Sequence, residues 1–140
     1  MIEQAIRLLH AEQASCVLVK NGEVRIFTQR GVADLYALYL ADRAFMQDAV
    51  VADKVVGKAA AALMILGGIR QVYADVVSTG AMLLFRNAGI EVRCAEEVPH
   101  IINRARTGWC PMETRCRDLQ TAEECLPQIE DFISRLRNIP

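Results

Sequence analysis

Residues 49–75 read AVVADKVVGKAAAALMILGGIRQVYAD, and this stretch decides the fold class. Ala49–Ala52 is a short apolar run that predicts a buried strand, and the apolar pattern continues at helical spacing from about residue 54 to residue 66. Gly67-Gly68 follows, where helices commonly end in a left-handed residue, and Gln71–Asp75 predicts the next strand. Because one helix joins the two strands, we expect them to pair in parallel through a right-handed crossover.

The sequence on either side extends this unit into a larger sheet. Cys16–Lys20 and Glu23–Phe27 are apolar runs that flank Asn21-Gly22, a dipeptide typical of tight β-hairpins. A helix beginning near Ser78 leads to a further strand at residues 90–94. One helix precedes the hairpin and another follows it. We therefore predict an α/β fold, a three-layer α/β/α sandwich with a mixed five-stranded sheet.

The sequence changes character after Ala95, although 140 residues suit one domain. Pro99–Arg106 predicts a short helix. Thr121 and Glu124 form a capping box that opens a final amphipathic helix, which runs to about residue 137. We interpret residues 1–140 as a single domain in which residues 95–140 are a C-terminal helical appendage on the same core.

Composition argues against several classes of protein. Sixteen basic and 17 acidic residues give a net charge of −1, which does not fit a polybasic nucleic-acid-binding protein. The longest charge-free apolar run, Ala59–Ile69, is far shorter than the ~20 residues that span a bilayer. The charges in Met1–Glu12 do not fit a signal peptide. We expect a cytoplasmic protein whose five cysteines are thiols, with neither membrane nor nucleic acid among its partners.

The first candidate site lies where the predicted strand 49–52 gives way to the predicted helix 54–66. Ligands of open α/β sheets bind at this end of the strands, and Lys54 and Lys58 would share one helix face. Two cations at a helix amino end oppose its dipole, which suggests an anion that binds both lysines and the free N–H groups. Alternatively, Asp53 is only the helix N-cap and both lysines extend into water. The stretch lacks the glycine and hydroxyl positions of a Walker A loop, and no dinucleotide fingerprint occurs, so we predict no cofactor.

The second candidate site is in the appendage, where Cys110 precedes Pro111 and Glu113 follows one turn later. A helix amino end stabilises a thiolate, but a cysteine nucleophile normally needs a base, and no local motif assigns His10 or His100 to it. The alternative is an inert, packed thiol. The cysteine spacing lacks the paired motif of structural zinc sites, so we predict no metal site.

Four short motifs together resemble a small family of uncharacterised bacterial proteins with a cytidine deaminase-like fold. The motifs are Val51-Ala-Asp53-Lys54-Val-Val-Gly57-Lys58, Val72-Tyr-Ala-Asp75-Val-Val-Ser78, Asn103-Arg104 and Cys110-Pro-Met-Glu113. The resemblance covers about residues 2–117. It implies a deaminase-like sandwich with the hairpin first, which agrees with the element order derived above.

The same comparison shows what the chain lacks. True deaminases bind zinc through a His or Cys at the start of one helix and Pro-Cys-x-x-Cys at the start of the next, with a Glu that transfers protons. The corresponding predicted helices here open with Gln29-Arg-Gly-Val32 and Asp53-Lys-Val-Val56. We therefore exclude zinc-dependent deamination. The resemblance implies that the cleft is kept and that Asp53, Lys54 and Lys58 replace the metal.

The function that these residues favour is binding of a nucleotide or similar phosphorylated small molecule. Lys54, Lys58 and the helix N–H groups would contact the phosphate, with Gly57 between them and Asn103-Arg104 as a second contact. Asp53 would bind a ribose hydroxyl or act as an acid, base or nucleophile.

Two other functions stay open at this stage. One is a non-deaminase enzyme that uses Cys110 and Glu113 beside the cleft. The other is a structural or regulatory interaction module. In that case the row of small side chains at Ala59–Ala62, which permits close backbone approach, would form the interface of a homodimer.

Overall fold

A computed structural model describes residues 1–29, 31–103 and 105–137 of the chain. Within these residues the elements follow one another as α1 (Ile2–Ala11), β1 (Cys16–Lys20), β2 (Glu23–Phe27), α2 (Ala33–Ala41), α3 (Arg43–Met46), β3 (Val50–Val56), α4 (Lys58–Gly67), β4 (Gln71–Ser78), α5 (Thr79–Ala88), β5 (Glu91–Val98), α6 (Pro111–Cys116) and α7 (Ala122–Arg137).

The five strands form one mixed sheet in the order β2-β1-β3-β4-β5. β1 pairs antiparallel with β2 and β3, whereas β3, β4 and β5 are parallel to one another. In the hairpin, Asn21 and Gly22 have φ values of 50° and 83°. Positive φ at both central residues is what a tight hairpin turn with the right-handed twist of its strands requires. The predicted sheet and hairpin are confirmed.

Helices cover both faces of the sheet. Val17 and Val19 of β1 point to one face, where they pack with Leu9 of α1. Leu18 of β1 and Val51 of β3 point to the other face, which α2 and α4 to α7 help to cover. The alternation of side chains along each strand therefore builds two separate apolar layers. The predicted α/β/α arrangement is confirmed.

Helix α4 lies in the middle of the larger helical layer and contacts α2, α5, α6 and α7. Ala59–Ala62 and the adjoining Leu63 and Met64 are all buried. A helix that is apolar on all sides belongs to a core. The chain itself covers the alanine row, so the prediction that these alanines form a dimer interface is wrong.

The boundary between β3 and α4 differs from the predicted one. β3 continues to Val56, which pairs with Val77 of β4, and α4 begins at Lys58 rather than at residue 54. Val55 and Val56 suit a strand as well as a helix, and the parallel ladder with β4 decides between the two. Gly57, in an extended conformation, is the N-cap. The predicted N-cap role of Asp53 is therefore wrong.

The segment after β5 contains no helix over Pro99–Arg106 within the described residues, so that prediction is wrong. Ile102 and Trp109 form an isolated antiparallel bridge instead. The side chain of Asn103 closes the turn between them: its amide oxygen accepts the Thr107 N–H at 3.1 Å. Asparagine side chains compete with helical hydrogen bonds in this way.

The C-terminal helices pack onto the main core. Met112 and Cys116 of α6, with Ile129 and Ile133 of α7, belong to the apolar cluster that surrounds α4. The predicted capping box at the start of α7 is confirmed, because Thr121 and Glu124 exchange side-chain and backbone hydrogen bonds. None of the helices formed by the described residues is both long and apolar enough to cross a bilayer.

Two neighbouring leucines of α5 test this packing. Leu84 is buried in the core, whereas Leu83 is exposed. We expect Leu84→Ala to lower the free energy of unfolding by about 2–5 kcal/mol, because it leaves a cavity in the core. Leu83→Ala should stay within about 0.5 kcal/mol of the parent. Denaturant titration measures both, and equal losses at the two positions would contradict the packing described.

Candidate functional site

The amino end of α4 holds an anion that the chain itself supplies. Glu113 of α6 is buried, and its Oε1 accepts the Lys58 N–H at 2.7 Å. Its Oε2 accepts the Ile101 N–H at 2.9 Å. The free N–H groups and the dipole of a helix amino end favour negative charge. The helix amino end that the sequence suggested as a phosphate site is therefore already occupied by the carboxylate of Glu113, which lies 55 residues after Lys58 in the chain.

Gly57 permits this contact because it carries no side chain. A Cβ atom at this position would lie 2.9 Å from Oε1 of Glu113 and 3.2 Å from a side-chain carbon of Ile101. Distances this short force neighbouring atoms apart. The glycine of the Asp-Lys-x-x-Gly-Lys motif thus has a packing reason to be there.

The amine of Lys58 also binds within the chain. Its Nζ donates to the carbonyl of Arg117 at 3.2 Å and to the carbonyl of Leu119. These carbonyls lie at the end of α6 and in the loop after it, where helices leave acceptors without helical partners. The side chain of Lys58 therefore joins α4 to the α6–α7 loop.

Lys54 does not share a helix face with Lys58, so that prediction is wrong. Lys54 lies in β3, is exposed, and donates its backbone N–H to the carbonyl of Ser15. Successive residues of a strand point to opposite faces. The side chain of Lys54 is consequently on the other side of the sheet from that of its neighbour Asp53.

Asp53 is buried beside Cys16, its partner in the pairing of β1 with β3. Its Oδ1 accepts the N–H of Val55 at 3.2 Å, and its carboxyl also hydrogen-bonds the thiol of Cys16. Burial raises the pKa of Asp53 to about 7, and the charge of Asp75 acts in the same direction. Burial, followed by the charge of Asp53, raises the pKa of Cys16 well above its ordinary value.

Three polar side chains are buried among the described residues, and two have a clear structural role. Ser78 caps α5 by accepting the Ala81 N–H at 3.2 Å, and Glu113 caps α4. Asp53 bonds only to its own strand and to Cys16, with no ion pair among the residues that the structure describes. Asp53 lies in the middle of β3, and a buried carboxyl with a raised pKa is a candidate for chemistry.

Cys110 and Glu113 are not paired. Cys110 is the N-cap of the short helix α6, and its backbone N–H donates to the carbonyl of Ile101 at 2.8 Å. The carboxylate of Glu113 bonds to the backbone of α4 and of Ile101. His100 stacks on Trp109 with the ring centroids 4.2 Å apart. The carboxylate of Glu113 is engaged with the backbone N–H groups of Lys58 and Ile101. No described contact places another base beside Cys110.

Asn103 has a structural role in its own turn, and Arg104 lies outside the described residues. The observed helix starts also bear on the zinc motif. α2 opens with Ala33-Asp-Leu35 after Val32, and α4 opens with Lys58-Ala-Ala60 after Gly57. Neither start offers the histidine or cysteine ligands of a deaminase.

A second polar cluster lies on the opposite face of the sheet. Oδ1 of Asp75 accepts the hydroxyl of Tyr73 at 2.7 Å and lies 2.8 Å from Nε2 of His10. The hydrogen bond to Asp75 raises the pKa of Tyr73 to about 12. These contacts join α1 to β4, and no local motif predicts that residues 10 and 75 meet.

A surface depression of about 300 Å³ lies at the other end of the strands and is lined in part by Lys20, Arg25 and Asp42. Lys20 donates to a backbone carbonyl. Arg25 forms ion pairs with Glu23 and Asp42. Because these charged groups already have partners, the depression is a weaker candidate for a ligand site than the carboxyl end.

Comparison with known proteins identifies the family. The family profile TM1506, described as a domain of unknown function (DUF1893), matches residues 4–133. A crystal structure of a DUF1893 family protein from Thermotoga maritima is similar with a TM-score of 0.84 and 21% identity, over 92% of this chain and 87% of that chain. Likeness at this identity shows a shared fold.

RibD from Acinetobacter baumannii is also similar, over 66% of this chain and 33% of that chain, with a TM-score of 0.46 and 19% identity. No match is found among curated proteins. The α/β fold is confirmed, and the deaminase-like assignment within it stays a prediction.

The pH dependence of stability tests the burial of Asp53. The folded chain keeps a proton on Asp53 between its ordinary pKa of 3.8 and about 7, where the unfolded chain has released it. This group should therefore reduce the free energy of unfolding by about 1.4 kcal/mol per pH unit as the pH rises through that window. Above it the contribution should level off.

Asp53→Asn removes this titration and leaves the other carboxylates in place as an internal control. The stability of Asp53→Asn relative to the parent should rise across the same window, as measured by denaturant titration at several pH values. A difference between the two proteins that does not change with pH would show that Asp53 titrates normally.

Proposed function

The chain belongs to the DUF1893 family, and we propose that it binds a nucleotide or another phosphorylated small molecule at the carboxyl end of its parallel strands. The observation that carries this proposal is Asp53, a buried carboxyl without an ion-pair partner among the described residues. Open α/β sheets bind ligands at this end, and Asp53 lies three residues before Val56, the last residue of β3.

Asp53 would recognise a hydroxyl group of the ligand, such as that of a ribose. An ionised carboxylate accepts a hydrogen bond, and a protonated carboxyl also donates one. A pKa of about 7 makes both forms available near neutral pH. The same property suits an acid or base that transfers a proton to or from a bound molecule.

The phosphate would bind at the amino end of α4 in place of the Glu113 carboxylate. The backbone N–H groups of Lys58 and Ile101 already converge on one anion there. A phosphate offers more acceptor oxygens and more charge than a carboxylate, so it can satisfy both donors. The exchange costs the two bonds of Glu113, and phosphate alone should therefore bind weakly.

In this proposal Lys58 approaches the phosphate only after it leaves the carbonyls of Arg117 and Leu119. Ligand binding is thus coupled to movement of α6 and of the loop that follows it. Lys54, on the other face of the sheet, has no part in the phosphate contact.

Thermal melting with three probes tests the proposal: a nucleoside monophosphate, the matching nucleoside and inorganic phosphate. A ligand that binds only the folded chain raises the melting temperature in proportion to its affinity and concentration. We expect the monophosphate to raise it most, because it engages both Asp53 and the amino end of α4.

Two variants separate the two contacts. Asp53→Asn should reduce the monophosphate response to that of inorganic phosphate. Glu113→Gln weakens the hydrogen bonds at the amino end of α4, so this variant should melt at a lower temperature. Because it also removes the competing charge, it should respond more strongly to phosphate. Glu97→Gln, at an exposed carboxylate of β5, is the matched control. Equal responses of all variants, or no response to a series of phosphorylated ligands, would refute the proposal.

A further inference from the structure

Two cysteines outside the candidate ligand site face each other in the core. Cys116 is the last residue of α6 and Cys125 lies in the first turns of α7, and both are fully buried in the cluster around α4. Their thiols are free and interact by hydrogen bonding. We propose that Cys116 and Cys125 form a reversible disulfide that fixes the loop between α6 and α7.

The backbone around the pair explains why the two sulfurs meet. The Leu119 N–H donates to the carbonyl of Cys116 and turns the chain at the end of α6. The capping box of Thr121 and Glu124 then fixes the start of α7. Cys125 follows directly and faces back to Cys116, so a disulfide would close a short loop at residues 117–124.

The charges around the pair make the two thiols unequal. The hydrogen bond from the Cys116 thiol lowers the pKa of Cys125, and the Lys58 ammonium acts in the same direction. As the donor of that bond, Cys116 has a raised pKa. Carboxylates oppose thiolate formation: Glu113 acts on Cys116, and Glu123 and Glu124 act on Cys125. Cys125 is therefore the attacking thiolate.

The oxidant is a low-molecular-weight organic disulfide. The Cys125 thiolate attacks one sulfur of that disulfide, forms a mixed disulfide and releases one thiolate. The Cys116 thiol then loses its proton and attacks the Cys125 sulfur, which releases the second thiolate. Two protein thiols are oxidised, one organic disulfide is reduced to two thiols, and the protons from the cysteines balance the released thiolates.

The disulfide would act on the contact between the loop and α4. The loop carbonyls of Arg117 and Leu119 are the acceptors for the Lys58 amine. Because both sulfurs are buried, the loop must open before the oxidant reaches them, and the closed disulfide then opposes further opening. The redox state therefore sets how firmly the loop holds Lys58. This inference does not depend on ligand binding at Asp53.

The test uses the full chain with Cys94→Ser and Cys110→Ser, because these partly exposed cysteines would otherwise form mixed disulfides. Incubation with oxidised glutathione should give a product lighter by two hydrogen atoms and without bound glutathione. Peptide mapping should join Cys116 to Cys125, and dithiothreitol should reverse the change. The oxidised form should also be cleaved more slowly by protease in residues 117–121.

Two variants examine the role of the charge. Lys58→Met should shift the rise of the oxidation rate with pH to higher pH, because the Cys125 thiolate loses its neighbouring cation; loosening of the loop, which Lys58 also holds, would change the rate without this shift. Lys54→Met, at an exposed lysine of β3, should leave the rate unchanged. The proposal is overturned if both cysteines remain alkylatable in the unfolded chain after oxidation, if the cross-link involves Cys16, or if oxidation leaves proteolysis of the loop unchanged.

Discussion

The carboxylate of Glu113 joins three parts of the chain that are distant in sequence. It binds the first N–H of α4 and the N–H of Ile101, and it comes from α6. The absence of a side chain at Gly57 makes room for this carboxylate. The Lys58 amine donates to the carbonyl of Arg117 at the end of α6 and so adds a second contact between α4 and α6. The position of α6 against the amino end of α4 depends on this one buried anion.

Two buried carboxyl groups, Asp53 in the middle of β3 and Glu113 beside the first residue of α4, differ in how the cost of their desolvation is offset. Glu113 accepts two backbone hydrogen bonds at a helix amino end, which offsets the cost of its burial. Asp53 has less to offset that cost: it accepts bonds from its own strand and from Cys16, and its pKa rises to about 7. An ionised group left so poorly compensated costs stability, and this cost is the reason that we propose a chemical role for Asp53.

Local sequence signals predicted the elements whose boundaries depend on local chemistry. The Asn21-Gly22 turn fixed β1 and β2 to the residue, and the Thr121 capping box placed the start of α7. The predicted end of β3 was wrong because Val55 and Val56 suit both a strand and a helix, and only the ladder with β4 keeps them in β3. That error placed Asp53 and Lys54 at a helix start, whereas the structure has both within β3.

The candidate site was less predictable because it depends on contacts between residues far apart in the chain. The motifs drew attention to Gly57, Lys58 and Glu113, which the structure brings together, but nothing local shows that Glu113 would reach the amino end of α4. The pairing of Cys16 with Asp53 likewise follows from the antiparallel contact of β1 with β3. Spacing along the sequence carries no information on such contacts until the order of the strands is known.

Hydrogen exchange of individual backbone amides, followed by nuclear magnetic resonance, tests the role of Glu113 most directly. The Lys58 and Ile101 amides should be protected in the parent chain, and both should lose protection together in Glu113→Ala. The Ala61 amide, bonded to the Gly57 carbonyl within the first turn of α4, should stay protected and serves as the control. Rapid exchange at Lys58 and Ile101 in the parent, or unchanged protection in the variant, would contradict the account.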